Sequence, residues 1–234
     1  MVKKRSQRTC IYCGASERLS DDHVPPKNLF PKPRPANLIT VPSCEECNRG
    51  FSKDDEYFRL MVAIREDIAD SSQAHKLLPA IHRSLGRSRG KGLLHGLLNS
   101  SEEVELVTQS GIFLGTSAKY KPEFERLNRV VERTVKGLLY RHFDAPLPSG
   151  YSVRVFNEDG LEATEGAFVD AARQMAAKVV RNPCQSIGDG VFQYWYAKVA
   201  SKDFCSMWVM TFYERASWLC FVSESPLNND QAGQ

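Results

Sequence analysis

Two Cys-x-x-Cys pairs near the start of the chain constrain its fold more than any other feature. The pairs are Cys10–Cys13 and Cys44–Cys47, and 30 residues lie between them. A Cys-x-x-Cys turn directs two sulfurs at one ion, and two such turns complete a tetrahedral site for structural zinc. We therefore expect a Cys₄ zinc site formed by Cys10, Cys13, Cys44 and Cys47.

Structural zinc sites occur in proteins of many functions, and the polar residues between and just after the two pairs narrow the possible functions. Asp22 directly precedes His23. Asn37 follows fourteen residues after His23, and Asn48 comes immediately after Cys47. Adjacent side chains of an extended strand point to opposite sides, so one of the two can hold a metal ion while the other faces a water molecule. A neutral imidazole, with an ordinary pKa of about 6.5, can accept a proton from that water.

This ordered set of residues resembles the HNH endonuclease family, in the form framed by two Cys-x-x-Cys knuckles. The resemblance covers roughly the first 60 residues and does not extend to the rest of the chain. It implies a ββα-metal module, in which a two-stranded hairpin and one helix surround a single divalent ion. The implied activity is metal-dependent hydrolysis of phosphodiester bonds in DNA.

The resemblance also implies a role for each polar residue. Asp22 would bind the divalent ion, His23 would be the general base, and Asn37 would orient His23. Asn48 would be the second ligand to the ion, in place of the histidine that gives the family its last letter. Because an amide oxygen is a weaker ligand than imidazole and suits hard ions, the expected catalytic ion is Mg²⁺ or Mn²⁺.

Three questions about function stay open at this point. The chain could be a non-catalytic zinc ribbon that binds nucleic acid or a protein partner, with His23 and Asn48 supporting the knuckles by hydrogen bonds. The substrate could be RNA, because neither the metal nor the base needs to touch the 2′-hydroxyl. Cutting both strands of DNA with one metal site per chain would suggest a homodimer with two active centres.

Two basic stretches are candidates for nucleic-acid contact. Five prolines between residues 25 and 35 favour an extended loop. Residues 86–92 read as a glycine-punctuated loop that can lie against phosphates, although a solvated connector has the same composition. The basic side chains of the two stretches are Lys27, Lys32, Arg34, Arg87, Arg89 and Lys91.

The order of elements predicts an α+β fold in three parts. Residues 1–70 form the nuclease module, with one helix from Cys44 to about Gly50 and a second over 52–70 that is capped by its acidic start. Residues 71–101 form a basic helical connector. Residues 102–226 form an α+β domain with an antiparallel sheet, whose role is target recognition or dimerisation. The pattern of that domain is a hairpin at 103–120, helices at 121–143 and 164–181, and strands at 151–156, 191–200, 204–213 and 217–223.

The long helix predicted at 121–143 has two different faces. One face is apolar and should pack on a core, while the other carries Arg126, Arg129, Arg133 and Lys136. This basic face is expected to be solvated or to contact a DNA backbone.

Composition excludes some classes of protein. The net charge of +3 and the apolar content of 42% are ordinary for a globular protein. No apolar run approaches the length of a membrane span, and the charged N-terminus does not read as a secretory signal. We therefore expect a cytoplasmic protein without a membrane partner.

Overall fold

The N-terminal part of the chain folds as a hairpin followed by a helix. The computed structural model describes residues 8–157, 166–200 and 202–225, with Arg89 described in its main chain only. Strands β1 (Leu19–Val24) and β2 (Ile39–Cys44) are antiparallel, and helix α1 (Glu45–Ala63) follows directly. Their register pairs His23 with Thr40, so the Asp-His pair lies near the end of β1.

Helix α1 is one continuous element of 19 residues, and the predicted break at Gly50 is wrong. A glycine inside a helix costs only about 1 kcal/mol relative to alanine. The second half of α1 buries Tyr57, Phe58 and Met61, and each such side chain contributes about 1.5–3 kcal/mol. The acidic residues at 54–56 therefore lie in the middle of the helix, and the prediction that they cap its start is also wrong.

The connector is more helical than its sequence indicates. It contains α2 (Ser72–His75), α3 (Leu78–Leu85) and α4 (Ser88–Asn99). The loop predicted at 86–92 is instead largely the first turns of α4. Gly90 lies so close to the Ser84 carbonyl that any Cβ there would overlap it, so glycine is what allows α4 to start directly beside α3.

The remaining elements follow the predicted order closely. They are β3 (Ser101–Val107), β4 (Phe113–Tyr120), α5 (Phe124–Phe143), β5 (Tyr151–Asn157), α6 (Ala167–Val179), β6 (Gln185–Ile187), β7 (Phe192–Lys198), β8 (Ser206–Phe212) and β9 (Ala216–Glu224). Strands β3 and β4 form a separate hairpin, and the other five form one sheet in the order β5-β9-β8-β7-β6 with all neighbours antiparallel. The predicted α+β class with antiparallel sheets is confirmed. Strand β6, which has only three residues, was not predicted.

Helix α5 lies between the N-terminal hairpin and the five-stranded sheet. It packs on α1, β1 and β2 as well as on β5 and β9. One continuous cluster of buried side chains includes Val24, Phe58, Leu138 and Trp208. On the other face of the sheet, α6 packs through a smaller cluster of Ala172, Val179, Met207 and Leu219. The division of the chain near residues 70 and 101 stays a prediction.

The predicted basic face of α5 is not uniformly solvated. Arg133 is only 5% exposed, which contradicts the expectation for that residue. Arg126 and Arg129 both pair with Asp54 of α1, at 2.9 and 2.8 Å. Helix α5 thus uses part of its charge to hold α1. Within the described residues, no helix is both long and apolar enough to cross a membrane.

Candidate functional site

The four knuckle cysteines form one cluster. Their Sγ atoms all lie within 4.8 Å of one another, and the Sγ atoms of Cys13 and Cys44 are 3.6 Å apart. Four sulfurs at about 2.3 Å from a tetrahedral zinc ion would be about 3.8 Å apart, so the cluster has the size of a zinc site. Within the described part of the chain, it is the one group of three or more His, Cys, Asp or Glu side chains that is this close. The predicted Cys₄ metal site is therefore confirmed as a cluster able to hold an ion such as zinc.

Local structure explains how the cysteines meet. The first pair lies on a turn closed by a bond of 2.9 Å from the Gly14 amide to the Cys10 carbonyl oxygen. The second pair starts α1, where the Sγ atom of Cys44 accepts a hydrogen bond of 3.4 Å from the Cys47 amide. Burial alone would raise the pKa of the Cys10 thiol, but hydrogen bonds from main-chain groups of both knuckles lower it to about 7. Cys10 is therefore favoured as the thiolate, the form that binds metals, whereas burial and hydrogen bonds among the thiols raise the pKa of Cys47.

A cleft of about 230 Å³ lies between β1, the loop that follows it and α1. The residues from α1 are spaced so that they share one helical face. Four acidic side chains and one lysine are among the residues that line it. The lining residues are Asp21, Asp22, His23, Pro26, Lys27, Asn28, Asn48, Ser52, Asp55 and Glu56. The structure thus brings three of the four predicted active-site residues, Asp22, His23 and Asn48, to one cavity.

Asp22 is buried and held by two partners. Its side chain is about as buried as a core residue, with 5% of the residue exposed. The Tyr12 hydroxyl donates a hydrogen bond of 2.9 Å to Oδ2, and Nε of Arg133 lies 3.6 Å from the same oxygen. Both contacts use Oδ2, so Oδ1 is the oxygen that a metal ion could share.

Arg133 also binds a second acidic residue of the cleft. Its Nη2 atom donates a hydrogen bond of 2.6 Å to Oδ1 of Asp55, and its guanidinium carbon lies 4.3 Å from the centre of the Phe51 ring. Burial raises the pKa of Asp55 to about 6, although the charge of Arg133 acts against this. Sequence reasoning placed Arg133 on the basic face of α5 and missed these contacts; the available signal was a row of arginines at helical spacing in α5 and a run of three acids, residues 54–56, in α1.

His23 and Asn48 have different surroundings. His23 is partly buried, and burial lowers the pKa of its imidazole; the charge of Lys27 adds to this effect and that of Asp22 opposes it. The amide nitrogen of Asn48 donates to the Ser20 hydroxyl at 3.2 Å and to the Asp21 carbonyl oxygen at 3.4 Å. These two bonds tie the start of α1 to β1 through the nitrogen of the amide, so its oxygen is not committed to them.

Asn37 is not among the residues that line the cleft. It precedes β2, its side chain is exposed, and its amide nitrogen donates to the Ser186 carbonyl oxygen at 3.4 Å. Among the contacts of the described residues, none joins the Asn37 side chain to His23. The orienting role that the resemblance implies for Asn37 stays a prediction.

The predicted nucleic-acid contacts lie in two places. Lys27 lines the cleft, and Arg34 donates a hydrogen bond of 3.2 Å to its carbonyl oxygen. Lys32 and Arg34 are exposed on the same proline-rich loop. The second set is at the start of α4, where Arg87 and Lys91 are exposed and the side chain of Arg89 lies outside the described part of the structure. Nucleic-acid contact by any of these residues stays a prediction.

Comparisons with known proteins identify no relative of this chain. No protein-family model matches it, and no curated protein or solved structure matches at a significant level. The resemblance to HNH endonucleases therefore depends only on the residues described above.

Proposed function

We propose that this protein is a metal-dependent endonuclease that hydrolyses phosphodiester bonds in DNA. The observation that carries the proposal is the single cleft lined by Asp22, His23 and Asn48. It lies on a hairpin-helix unit whose helix starts at the cysteine cluster, which is the arrangement that the resemblance predicts. In this proposal His23 is the general base, and Asp22 and Asn48 hold the divalent ion.

The charge of the cleft favours a cation before a phosphate can enter. Asp21, Asp22, Asp55 and Glu56 line the cavity together with one lysine, and part of their charge is balanced by Arg133, which pairs with Asp22 and Asp55, and by Arg8, which pairs with Asp21. The four acidic side chains still outnumber these three cations, so a divalent cation would help a phosphate to approach. The carboxylate and amide oxygens available there are the donors that Mg²⁺ and Mn²⁺ prefer. The donor set therefore fits the ion that the proposal requires.

His23 would take the proton of the attacking water. The water oxygen forms a bond to phosphorus, one phosphorus–oxygen ester bond breaks, and the water proton moves to a ring nitrogen of His23. Because burial favours the neutral imidazole, the base is ready to accept that proton. When bound, the divalent ion supplies positive charge for the phosphate and the leaving oxygen.

The test is a cleavage assay with a matched histidine control. Supercoiled DNA, single-stranded DNA and RNA are incubated with Mg²⁺, Mn²⁺ or no metal. We expect cleavage of DNA by the wild type with Mg²⁺ or Mn²⁺, and its loss in His23→Ala. His82→Ala, which removes an exposed histidine of α3, should cleave as the wild type does. Full activity in His23→Ala would contradict the assignment of the base.

The same assay separates the alternatives. If RNA alone is cleaved, the proposal changes in its substrate. If no metal supports cleavage but the protein retards DNA in a gel, the non-catalytic zinc-ribbon interpretation is favoured instead. Observation of nicks alone, or of both strands cut, would decide whether a homodimer is required.

A further inference from the structure

We propose that Arg133 of helix α5 is a positioning residue of the candidate active site. This inference rests on the proposed function and deepens it. All residues assigned to the chemistry so far lie between residues 22 and 48, within the stretch that resembles the nuclease family. Arg133 belongs to the part of the chain that resembles no family, and its guanidinium contacts two acidic residues that line the cleft.

Arg133 contacts two carboxylates that come from different elements of the fold. It lies 3.6 Å from Oδ2 of Asp22, donates at 2.6 Å to Oδ1 of Asp55, and stacks on Phe51. A planar guanidinium can hold two carboxylates at once in fixed directions, which an ammonium group cannot do. Asp22 comes from β1 and Asp55 from α1, so Arg133 fixes the distance between the two walls of the cleft.

The charges of Arg133 and Asp22 are buried, so they are energetically costly unless each is paired. Arg133 and Asp22 are each only 5% exposed. A buried charge is tolerated when it is paired, and removing one partner leaves the others uncompensated. Asp22 and Asp55 would repel each other across the cleft without the guanidinium. We infer that Arg133 holds Asp22 in place through Oδ2 and so presents its remaining oxygen to the ion.

Arg129 supplies a matched control on the same helix. It lies one turn before Arg133, pairs with Asp54 at 2.8 Å and does not line the cleft. Loss of Arg129 removes one arginine and one ion pair between α5 and α1, but it leaves Asp22 and Asp55 untouched.

The experiment compares Arg133→Gln, Arg133→Lys and Arg129→Gln in the full chain. Mn²⁺ binding is measured by electron paramagnetic resonance, and the DNA cleavage rate is measured as a function of Mn²⁺ concentration. Partners that orient metal ligands typically change metal affinity or activity by 10–100-fold. We expect Arg133→Gln to bind Mn²⁺ about 10-fold more weakly or worse, with Arg133→Lys intermediate and Arg129→Gln unchanged. If Arg133→Gln does not fold, Arg133→Lys, which keeps the charge, carries the test.

Tighter Mn²⁺ binding by Arg133→Gln than by the wild type would overturn the inference. If Arg133 were only a counter-charge near the ion, its removal would tighten Mn²⁺ binding and leave the cleavage rate at saturating Mn²⁺ unchanged. Equal binding and cleavage by Arg133→Lys and the wild type would also overturn it, while the proposed function would stand. If the wild type neither binds Mn²⁺ nor cleaves DNA, the proposed function fails first and this inference falls with it.

Discussion

The Tyr12 hydroxyl donates a hydrogen bond of 2.9 Å to Oδ2 of Asp22, and this bond joins the first cysteine knuckle to the acidic wall of the cleft. Tyr12 lies between Cys10 and Cys13, so its position follows from the turn that gathers the thiols. Its ring packs edge-on against Phe51, which also stacks on Arg133. The cysteine cluster and the cleft are therefore linked by direct contacts rather than only by sequence proximity.

The Tyr12→Phe variant tests this link. It removes the hydroxyl but keeps the ring, so that buried Asp22 loses its neutral hydrogen-bond donor. A hydrogen bond to a charged group contributes about 1.5–3 kcal/mol, and we expect the free energy of unfolding to fall by about that amount. Urea denaturation with zinc present measures it. Tyr196→Phe is the control, because its hydroxyl makes no hydrogen bond among the described residues; an equal loss in both variants would contradict the link.

Loss of a cysteine ligand should lower zinc content and stability, whereas loss of the proposed base His23 should leave both unchanged. Cys10 is 1% exposed in the cluster, and structural zinc contributes much of the folding energy of such small modules. We expect Cys10→Ser to bind less than one zinc per chain and to unfold at lower temperature, while His23→Ala keeps both properties. Zinc content by mass spectrometry and thermal melts followed by circular dichroism measure this. Cys184→Ser, which alters an exposed cysteine outside the cluster, should behave as the wild type.

Spacing predicted the cysteine cluster because each Cys-x-x-Cys turn depends on short-range geometry, whereas the hairpin and helix were expected from the resemblance. The turns that gather Cys10, Cys13, Cys44 and Cys47 need only local hydrogen bonds. The apolar periodicity of α5 likewise indicates which face of that helix is buried. Both features depend on residues that are close in sequence, and the structure confirms the cysteine cluster and helix α5.

Two errors arose where tertiary packing outweighed local signals. Gly50 reads as a helix end, but the buried side chains beyond it continue α1. Arg133 reads as part of a solvated basic face, but α1 brings Asp55 and Phe51 against it. A helix pattern shows which residues share a face and does not show what charge the neighbouring element presents.

The proline-rich loop beside the cleft should bind the phosphate backbone of the substrate. Lys32 and Arg34 are exposed there, and each phosphate contact adds about 0.9 to the slope of log affinity against log salt for duplex DNA. We expect the double variant Lys32→Ala and Arg34→Ala to bind DNA more weakly at low salt with a slope reduced by about 1–2. Fluorescence anisotropy at several salt concentrations measures this. Lys202→Ala, which removes an exposed lysine paired with Glu224 at 2.8 Å, should leave the slope unchanged.

His142 should make stability depend on pH below neutrality. Burial lowers the pKa of its imidazole, and the charge of Arg141 adds to this; its Nε2 atom lies 3.0 Å from the Tyr194 hydroxyl. In the unfolded chain a histidine has a pKa of about 6.5, so the unfolded state binds the proton first as pH falls. The contribution of His142 to the free energy of unfolding is therefore expected to be fully present above about pH 6.5. It should be lost as pH decreases toward the folded pKa. Urea unfolding of His142→Gln should show a shallower pH dependence in that window, whereas His82→Gln should match the wild type.

Two glycines in helices should respond to alanine in opposite directions. Any Cβ at Gly137 of α5 would overlap both γ-methyl groups of Val24, the residue after His23, while a Cβ at Gly50 of α1 meets nothing within 4 Å. Overpacking typically costs about 1–3 kcal/mol, whereas alanine is favoured over glycine in an open helix by about 1 kcal/mol. We expect Gly137→Ala to lower the free energy of unfolding and Gly50→Ala to raise it, both measured by urea denaturation. Because Val24 must move to admit the new methyl group, Gly137→Ala should also slow cleavage at saturating metal. A Gly137→Ala protein as stable and as active as the wild type would show that α5 does not press on the strand that carries Asp22 and His23.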